Sequence, residues 1–283
     1  MSTGRSPVMK RRRLAAQLHR LRAASALTLE AVAEHLECSP AKISRIENGQ
    51  VAVRIQDARE LLDLYGVKGE DRESILRLVR QARRKGWWTA YADSLQEGTE
   101  TLLSLEDEAA AISIYETNLV TGLLQTEAYA YEVMASWQDT SLEQVQRRVQ
   151  LRMKRQEILE REEGPVLAVV LDEASLRRHI GAKNIMHEQY LHLLERSEHC
   201  DRLTLLILPF EAGAHSAMGF PFQKFTFSAG DPSIVYVELL NKNEFFEDIG
   251  QVARYSSAFA ELLEAALDPE ESRRLLQEMI DAL

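Results

Sequence analysis

Apolar residues in the first 86 positions recur every three or four residues, a spacing that is typical of amphipathic helices. Together with capping residues, this pattern predicts five short helices. The apolar positions of the first, fourth and fifth are Leu14, Leu18 and Leu21, then Ile55, Ala58, Leu61, Leu62 and Tyr65, and then Ile75, Leu78, Val79 and Ala82. Since the connections are short, we expect an all-α domain at residues 1–86, with a loose tail at residues 1–8 and a first helix at residues 10–24.

The second and third predicted helices lie close together in the chain. Thr28 can cap the second helix, and Ser39 followed by Pro40 is a strong start signal for the third, because proline suits the first helical position. Gly49 is suited to end the third helix in a left-handed conformation. Two helices at this spacing predict a helix-turn-helix, whose second helix, here residues 40–48, lies in the major groove of DNA.

After Gly86 the pattern becomes a mixture of helices and strands. Helices are predicted at residues 105–137, with a break at Thr121-Gly122, and at residues 141–163, 173–179, 185–198, 244–267 and 269–283. Strands are predicted at residues 165–172, 202–208, 222–228 and 233–239, the last two joined by a turn at residues 229–232. We therefore expect an α-rich, multi-domain protein, in which residues 87–283 form an α+β domain with a small, mostly antiparallel sheet.

Composition narrows the class of protein. The chain is 45% hydrophobic and 28% charged, as in a soluble globular protein, and no apolar run approaches the ~20 residues of a membrane helix. The basic start leads into no apolar signal core. Cys38 and Cys200 form no CxxC pair, so no disulfide framework is expected. These features predict a reduced, cytoplasmic protein that does not associate with a membrane.

The net charge of −10 is distributed unevenly. Residues 1–86 hold 18 basic and 10 acidic residues, a net charge of +8, whereas residues 87–283 carry a net charge of −18. Such asymmetry is typical of a nucleic-acid-binding module joined to a second domain. A basic, solvated surface with no partner would have the same composition.

The third helix carries the residues that a DNA-reading helix needs. Ile43 and Ile46 are expected to pack on the second helix, whose Ala33 is small enough for close approach. The predicted groove-facing residues are Ser39, Pro40, Ala41, Lys42, Ser44 and Arg45. Arg45 can donate two hydrogen bonds to O6 and N7 of guanine, and Lys42 and the helix amino terminus suit phosphate. An ordinary helical hairpin with a charged outer face is the alternative interpretation.

Two further segments are expected to contact double-stranded DNA. Gln50 and Arg54, in the loop after the third helix, can flank the groove. The run Arg11, Arg12 and Arg13 is expected to touch the phosphate backbone and to add salt-dependent affinity.

The segment from Ala31 to Gly49, AVAEHLECSPAKISRIENG, resembles the DNA-binding domain of the Xre (phage-repressor-like) regulators. The resemblance implies that Glu47 is a structural acid at the end of the recognition helix and that Gly49 caps this helix. Glu37 departs from the family pattern, because many members have glycine in the turn, where the backbone favours a left-handed conformation.

Motifs of the second domain are similar to an actinobacterial family, the WhiJ-like regulators. They are Gly86-Trp87-Trp88, Tyr115-Glu116, GLLQTEAYA at residues 122–130, RMKRQ at residues 152–156, LDEASL at residues 171–176 and LPFEAGAH at residues 208–215. Thr121 stands where members usually have proline. The resemblance implies a transcriptional regulator with a large carboxy-terminal domain of poorly defined role. We expect this acidic domain to dimerise, or to bind an effector or a partner protein. The resemblance also implies an alternative, an antitoxin-like protein that mainly binds a small partner protein, with autoregulatory DNA binding.

Aromatic residues gather in the first part of the second domain. A pocket for a small-molecule effector or a partner segment can draw on Trp87, Trp88, Tyr91, Tyr115 and Tyr129, and on His215 in a loop after a strand. Core packing is the alternative, and the one we favour, because aromatic residues are commonly buried.

A homodimer is expected, because helix-turn-helix domains usually read paired half-sites about one helical turn apart. Phe259, Leu262, Leu263 and Leu267 of the closing helices can form the dimer seam or can simply cover the sheet.

Catalysis is not expected. His187 and His192 resemble the HExxH zinc motif, but a separation of five residues places them about 140° apart around a helix. The chain contains no Walker loop, no GxSxG and no GxGxxG motif. We therefore expect no enzyme activity, no metal and no cofactor.

Overall fold

The computed structural model describes residues 7–83, 86–137, 141–228, 231–240 and 242–283. The chain forms two compact units that divide between Thr89 and Ala90. Residues 1–6 of the predicted tail, and Ala229 and Gly230 of the predicted turn, lie outside the described residues.

The first unit contains the five predicted helices. They are α1 (Pro7–Ala24), α2 (Leu29–His35), α3 (Pro40–Glu47), α4 (Ile55–Leu64) and α5 (Gly69–Ala82). Helix α1 begins at Pro7, earlier than predicted, so residues 7 and 8 belong to the helix and not to the tail. All five helices supply side chains to one core, among them Leu18, Val32, Ile43, Leu62 and Val79.

The second unit combines helices with one sheet. Its helices are α6 (Thr99–Glu108), α7 (Glu127–Ala135), α8 (Leu142–Gln156), α9 (Glu173–Arg177), α10 (Lys183–His199), α11 (Ile249–Ala265) and α12 (Pro269–Asp281). Its strands are β1 (Ala111–Glu116), β2 (Val166–Asp172), β3 (Leu203–Leu208), β4 (Phe222–Thr226), β5 (Ile234–Glu238) and β6 (Asn243–Phe246). Short 3₁₀ segments lie at Gly122–Leu124, Glu157–Glu160 and Phe210–Ala212, and a further one, Trp87–Ser94, includes the last residues of the first unit and the first residues of the second.

The six strands form a mixed sheet in the order β3-β2-β1-β4-β5-β6. The pairs β1–β2 and β2–β3 are parallel, and the other three pairs are antiparallel, which agrees with the predicted antiparallel majority. The predicted hairpin of β4 and β5 is confirmed by its register, in which Phe225 faces Ile234. At the centre of the sheet, Tyr115 of β1 lies between Val170 of β2 and Phe222 of β4.

Two strands were missed by the sequence pattern. Residues 105–137 were predicted to be largely helical, but β1 lies between α6 and α7. Its residues Ile112, Ile114 and Tyr115 are all buried, because a central strand is covered on both faces and so lacks a clear alternation. The predicted helix at residues 244–267 was also wrong at its start. The edge strand β6 comes first, and the helix begins only after Asp248, whose side chain accepts the backbone N–H of Gln251.

Helix α11 covers the sheet. Phe259 and Leu262 are buried in a cluster with Tyr115, Val170 and other strand residues. Of the two predicted roles, these two side chains therefore cover the sheet and are not available for a dimer seam. Leu263 is exposed and Leu267 is half-buried. Within the described residues, no helix has the length and the apolar run that crossing a bilayer requires.

Candidate nucleic-acid interface

The predicted start signals of α2 and α3 operate as caps. The Thr28 Oγ1 atom accepts the backbone N–H of Ala31 at 3.2 Å, and the Ser39 Oγ atom accepts that of Lys42 at 3.3 Å. Pro40 occupies the first turn of α3. These bonds satisfy amide groups that a helix start otherwise leaves unpaired, so the local sequence fixes where α3 begins.

The turn between α2 and α3 passes through a left-handed residue. Glu37 has a φ of +48°, the conformation that the family pattern assigns to glycine at this place. The turn is closed by the Cys38 N–H, which donates to the carbonyl oxygen of Ala33 at 2.9 Å. A side chain in this conformation costs about 1–2 kcal/mol. The tight turn therefore forms in spite of Glu37.

The inner face of α3 is anchored in the core of the first unit. Ile43 and Ile46 are buried together with Val32 and Ala33 of α2, as predicted. Because an α-helix is rigid about its axis, burial of these two isoleucines determines which residues point outward.

The outer face of α3 presents short and basic side chains. Ser39, Pro40, Ala41 and Arg45 are exposed, while Lys42 and Ser44 are half-buried. The Arg45 Nε donates to the carbonyl oxygen of Ala41 at 3.4 Å, which lays the side chain along this face. Gln50 and Arg54 are also exposed, and the Gln50 N–H donates to the carbonyl oxygen of Arg45 at 2.9 Å. The start of the loop is thus folded onto the end of α3.

Lys42 is paired, which the sequence pattern did not indicate. Its Nζ lies 2.7 Å from Oδ2 of Asp57 in α4. Asp57 therefore neutralises part of the charge that was predicted to contact phosphate. Arg45, in contrast, is exposed, and within the described part of the chain its Nε donates to Ala41 of the same helix.

The end of α3 is held by an ion pair. Glu47 accepts two hydrogen bonds from Arg22 of α1, at 2.7 and 2.9 Å, and Arg22 also donates to the carbonyl oxygen of Leu27 at 2.8 Å. The hydrogen bond to Glu47 raises the pKa of Arg22. Burial, and then the charge of Glu47, raise the pKa of Tyr65 to about 12. Glu47 is thus the structural acid that the resemblance implied, and Arg22 is the partner that sequence reasoning missed.

The run Arg11, Arg12 and Arg13 lies in helix α1, and its three side chains are half-buried. Gly49 caps α3 with a φ of +71°, and a Cβ added to it would lie 3.6 Å from the Cα of Arg12. This part of α1 therefore packs beside the end of α3.

Two of the predicted ligand residues meet in the second unit. The Tyr115 hydroxyl lies 3.2 Å from Nε2 of His215 and donates to Oδ2 of Asp172 at 3.4 Å. Burial, and then the charge of Asp172, raise the pKa of Tyr115. This contact joins the ends of β1 and β2 to the loop after β3.

The other predicted ligand residues are dispersed. Trp87 and Trp88 belong to the first unit, where their ring centroids are 5.8 Å apart. Trp88 and Tyr129 are buried, and the Tyr129 hydroxyl accepts the backbone N–H of Val120. Tyr91 is half-buried beneath the guanidinium of Arg147. Most of these aromatic residues therefore take part in packing.

Glu116, at the end of β1, has an unusual environment. Burial, and then the charge of Glu238, raise its pKa to about 8, whereas Arg152 acts in the opposite direction. The folded state binds the carboxyl proton of Glu116 more tightly than the unfolded chain does. The contribution of this group to the free energy of unfolding is therefore fully present at low pH and is lost as the pH rises from about 4.5 to 8.

A Glu116→Gln variant lacks this proton equilibrium. The free energy of unfolding of the variant minus that of the wild type is expected to increase from pH 5 to pH 8, by at most about 1.4 kcal/mol per pH unit. Chemical denaturation at several pH values measures this difference. A difference that stays constant across this range would contradict the assignment.

Among the residues that the structure describes, no group of three His, Cys, Asp or Glu side chains is arranged to hold a metal ion. His187 and His192 both lie on the continuous helix α10, with His187 exposed and His192 half-buried.

Comparisons with known proteins divide the chain in the same way as the fold. Residues 13–75, in the first unit, match a family model described as a helix-turn-helix domain. Residues 99–278, in the second unit, match a family model described as a domain of unknown function, DUF5753. No curated protein and no solved structure is significantly similar to the chain.

Proposed function

Because this chain belongs to the DUF5753 family and also carries a helix-turn-helix domain, we propose that it is a sequence-specific DNA-binding transcriptional regulator of the Xre type. One observation carries the proposal. Arg45 stands exposed on the outer face of α3, while Ile43 and Ile46 on the opposite face are buried in the core.

In this proposal α3 enters the major groove, which is wide enough to admit a helix. Arg45 donates to O6 and N7 of a guanine, and the capped start of α3 at Ser39 approaches a phosphate. Gln50 and Arg54 flank the groove, and the run Arg11, Arg12 and Arg13 contacts the backbone. The net charge of +8 over residues 1–86 supports this mode of binding, since phosphate contacts dominate affinity.

Selection from a random duplex pool with the full chain tests the proposal. We expect enrichment of one motif that contains guanine, and tighter binding to that motif than to a scrambled duplex at the same salt concentration. Equal affinity for the enriched and the scrambled duplex would refute sequence-specific binding.

Lys42 and Asp57 allow a test of the phosphate contact. Lys42→Ala is expected to weaken binding to all sequences and to reduce the slope of log affinity against log salt by about one unit. Asp57→Asn leaves the lysine in place without its acidic partner, so it is expected to strengthen binding to all sequences. Fluorescence anisotropy across a salt series measures both slopes. An unchanged slope in Lys42→Ala would show that this lysine does not contact phosphate.

The proposal includes a homodimer, because a site with two half-sites is bound by two helix-turn-helix domains. Leu263 of α11 is exposed and remains available to a dimer contact. Sedimentation of the full chain, free and bound to a selected duplex, tests this part. A monomer in both states would overturn it.

A groove in the second unit favours the antitoxin-like alternative as a second candidate. It has a volume of about 340 Å³, and Phe220, Phe222, Phe246 and Tyr255 are among its lining residues. Phe220 is 68% exposed and the nearby Met218 is 56% exposed, and contiguous exposed apolar surface is a feature of protein-binding sites. Co-purification with a small neighbouring gene product at fixed stoichiometry, lost in Phe220→Ser, would support this role. Binding that Phe220→Ser does not weaken would exclude the groove as its site.

A further inference from the structure

A small cavity in the second unit is lined by arginines. Its volume is about 70 Å³. Its walls include Arg148, Arg152 and Arg155 of α8, Trp137, and Tyr236 and Glu238 of β5. The three arginines occupy successive turns of one helix face, at the spacing i, i+4 and i+7.

Among the described residues, only Arg155 of these three arginines forms an ion pair. Arg155 donates two hydrogen bonds to Glu106, at 2.6 and 3.1 Å. Arg152 donates from Nη1 to the side-chain oxygen of Gln125 at 2.6 Å, and its buried Nε atom has no hydrogen-bond partner within the described part of the chain. Glu238 faces Arg152 from the cavity wall.

Of these three side chains, Arg148 has the most buried N–H donors without an acceptor within the described ranges. Its Nε and Nη1 atoms are both buried and have no hydrogen-bond partner among the described residues. Its guanidinium lies 5.3 Å from the ring centroid of Trp137, so the aromatic ring covers one side of the cation without accepting its N–H bonds. Buried donors of a charged group are costly to leave unpaired, and nearly all of them in proteins have an acceptor.

The start of α6 adds to the positive potential of the cavity. Thr99, the first residue of α6, lines it. The residue before it is Gly98, which has no side chain to cap the helix, and its φ is +83°. The N–H groups of Thr99 and Thr101 donate to the carbonyl oxygens of Gln96 and Gly98, at 3.1 and 3.0 Å. The start of α6 therefore contributes the positive end of its helix dipole, which favours an anion.

We propose that this cavity binds the oxyanion group of a small molecule, a phosphate or a carboxylate. A guanidinium presents Nε and Nη2 side by side, so Arg148 can donate to two oxygens at once along this edge, which is the preferred geometry for both groups. The buried Nη1 supplies a further donor on another edge. A single water needs roughly 10–15 Å³ of such volume, so the cavity admits a group of several atoms. The site lies in the second unit and does not depend on the proposed DNA contacts.

Titration of the full chain with inorganic phosphate, and separately with acetate, tests the site. Sodium chloride holds the ionic strength constant, and calorimetry measures the apparent dissociation constant. We expect saturable binding of at least one anion, and the tighter of the two identifies the group that the site prefers. Absence of saturable binding of both anions would overturn the proposal.

Three variants assign any binding to the cavity. Arg148→Gln is expected to weaken binding about tenfold or more, and Arg148→Lys, which keeps the charge but loses the planar fork, by less. Lys154→Gln is the control, because it removes one charge from the exposed side of the same helix. Near-ultraviolet circular dichroism verifies that each variant is folded. Equal binding by the wild type and a folded Arg148→Gln would place the anion elsewhere and refute the proposed site.

Discussion

Replacing Arg45 with alanine is expected to reduce the preference for the selected sequence over random DNA by about 1–3 kcal/mol. The reason is that Arg45 is the exposed basic side chain on the outer face of α3 whose planar fork can read a guanine edge. Non-specific affinity is expected to fall much less, because the other basic residues that are proposed to contact phosphate remain in place. Fluorescence anisotropy with the selected duplex and a scrambled duplex, at one salt concentration, measures both quantities.

Arg77→Ala is the matched control for this experiment. Arg77 is also exposed, but it lies on α5 and outside the helix-turn-helix. The control is expected to keep the full preference for the selected sequence. If Arg45→Ala behaves like Arg77→Ala, α3 does not read bases through Arg45.

Replacing Glu47 with alanine is expected to destabilise the first unit by about 3–5 kcal/mol. The side chains of Arg22 and Glu47 are only 14% and 4% exposed, so removal of the carboxylate leaves an unpaired, largely buried guanidinium. Hydrogen exchange of the amides in α1 and α3, followed in the full chain, measures the stability of this unit separately from the other.

The double variant Arg22→Met with Glu47→Leu serves as the control for the ion pair. Because it removes both charges and fills the space with apolar groups, most of the lost stability is expected to return. A change of less than about 0.5 kcal/mol in Glu47→Ala would show that the pair does not hold the end of α3.

The sequence predicted the helices of the first unit well, because their signals are local. The caps at Thr28 and Ser39 and the left-handed Gly49 each act within one or two turns of a helix. Strand β1 was missed because it is central in the sheet and buried on both faces, so its pattern resembles that of a buried helix. The edge strand β6 has only four residues, too few to establish a period.

The sequence could predict a candidate site only when all of its residues lie on one helix. The outer face of α3 follows from the spacing of its buried isoleucines. The pairs Lys42–Asp57 and Arg22–Glu47 join residues 15 and 25 positions apart, and only the packing of separate helices brings them together. The cavity beside Arg148, Arg152 and Arg155 was not predicted, because it also requires residues of β5 and β6 that are distant in the sequence.

Methylation interference on the selected duplex tests the contact between Arg45 and guanine most directly. A methyl group on N7 of guanine removes the acceptor that Arg45 is proposed to use. We expect methylation of at least one guanine in the selected site to block binding of the wild type and to have little further effect on Arg45→Ala. Interference that is absent from the wild type, or identical in the two proteins, would contradict the placement of α3 in the major groove with Arg45 on the bases.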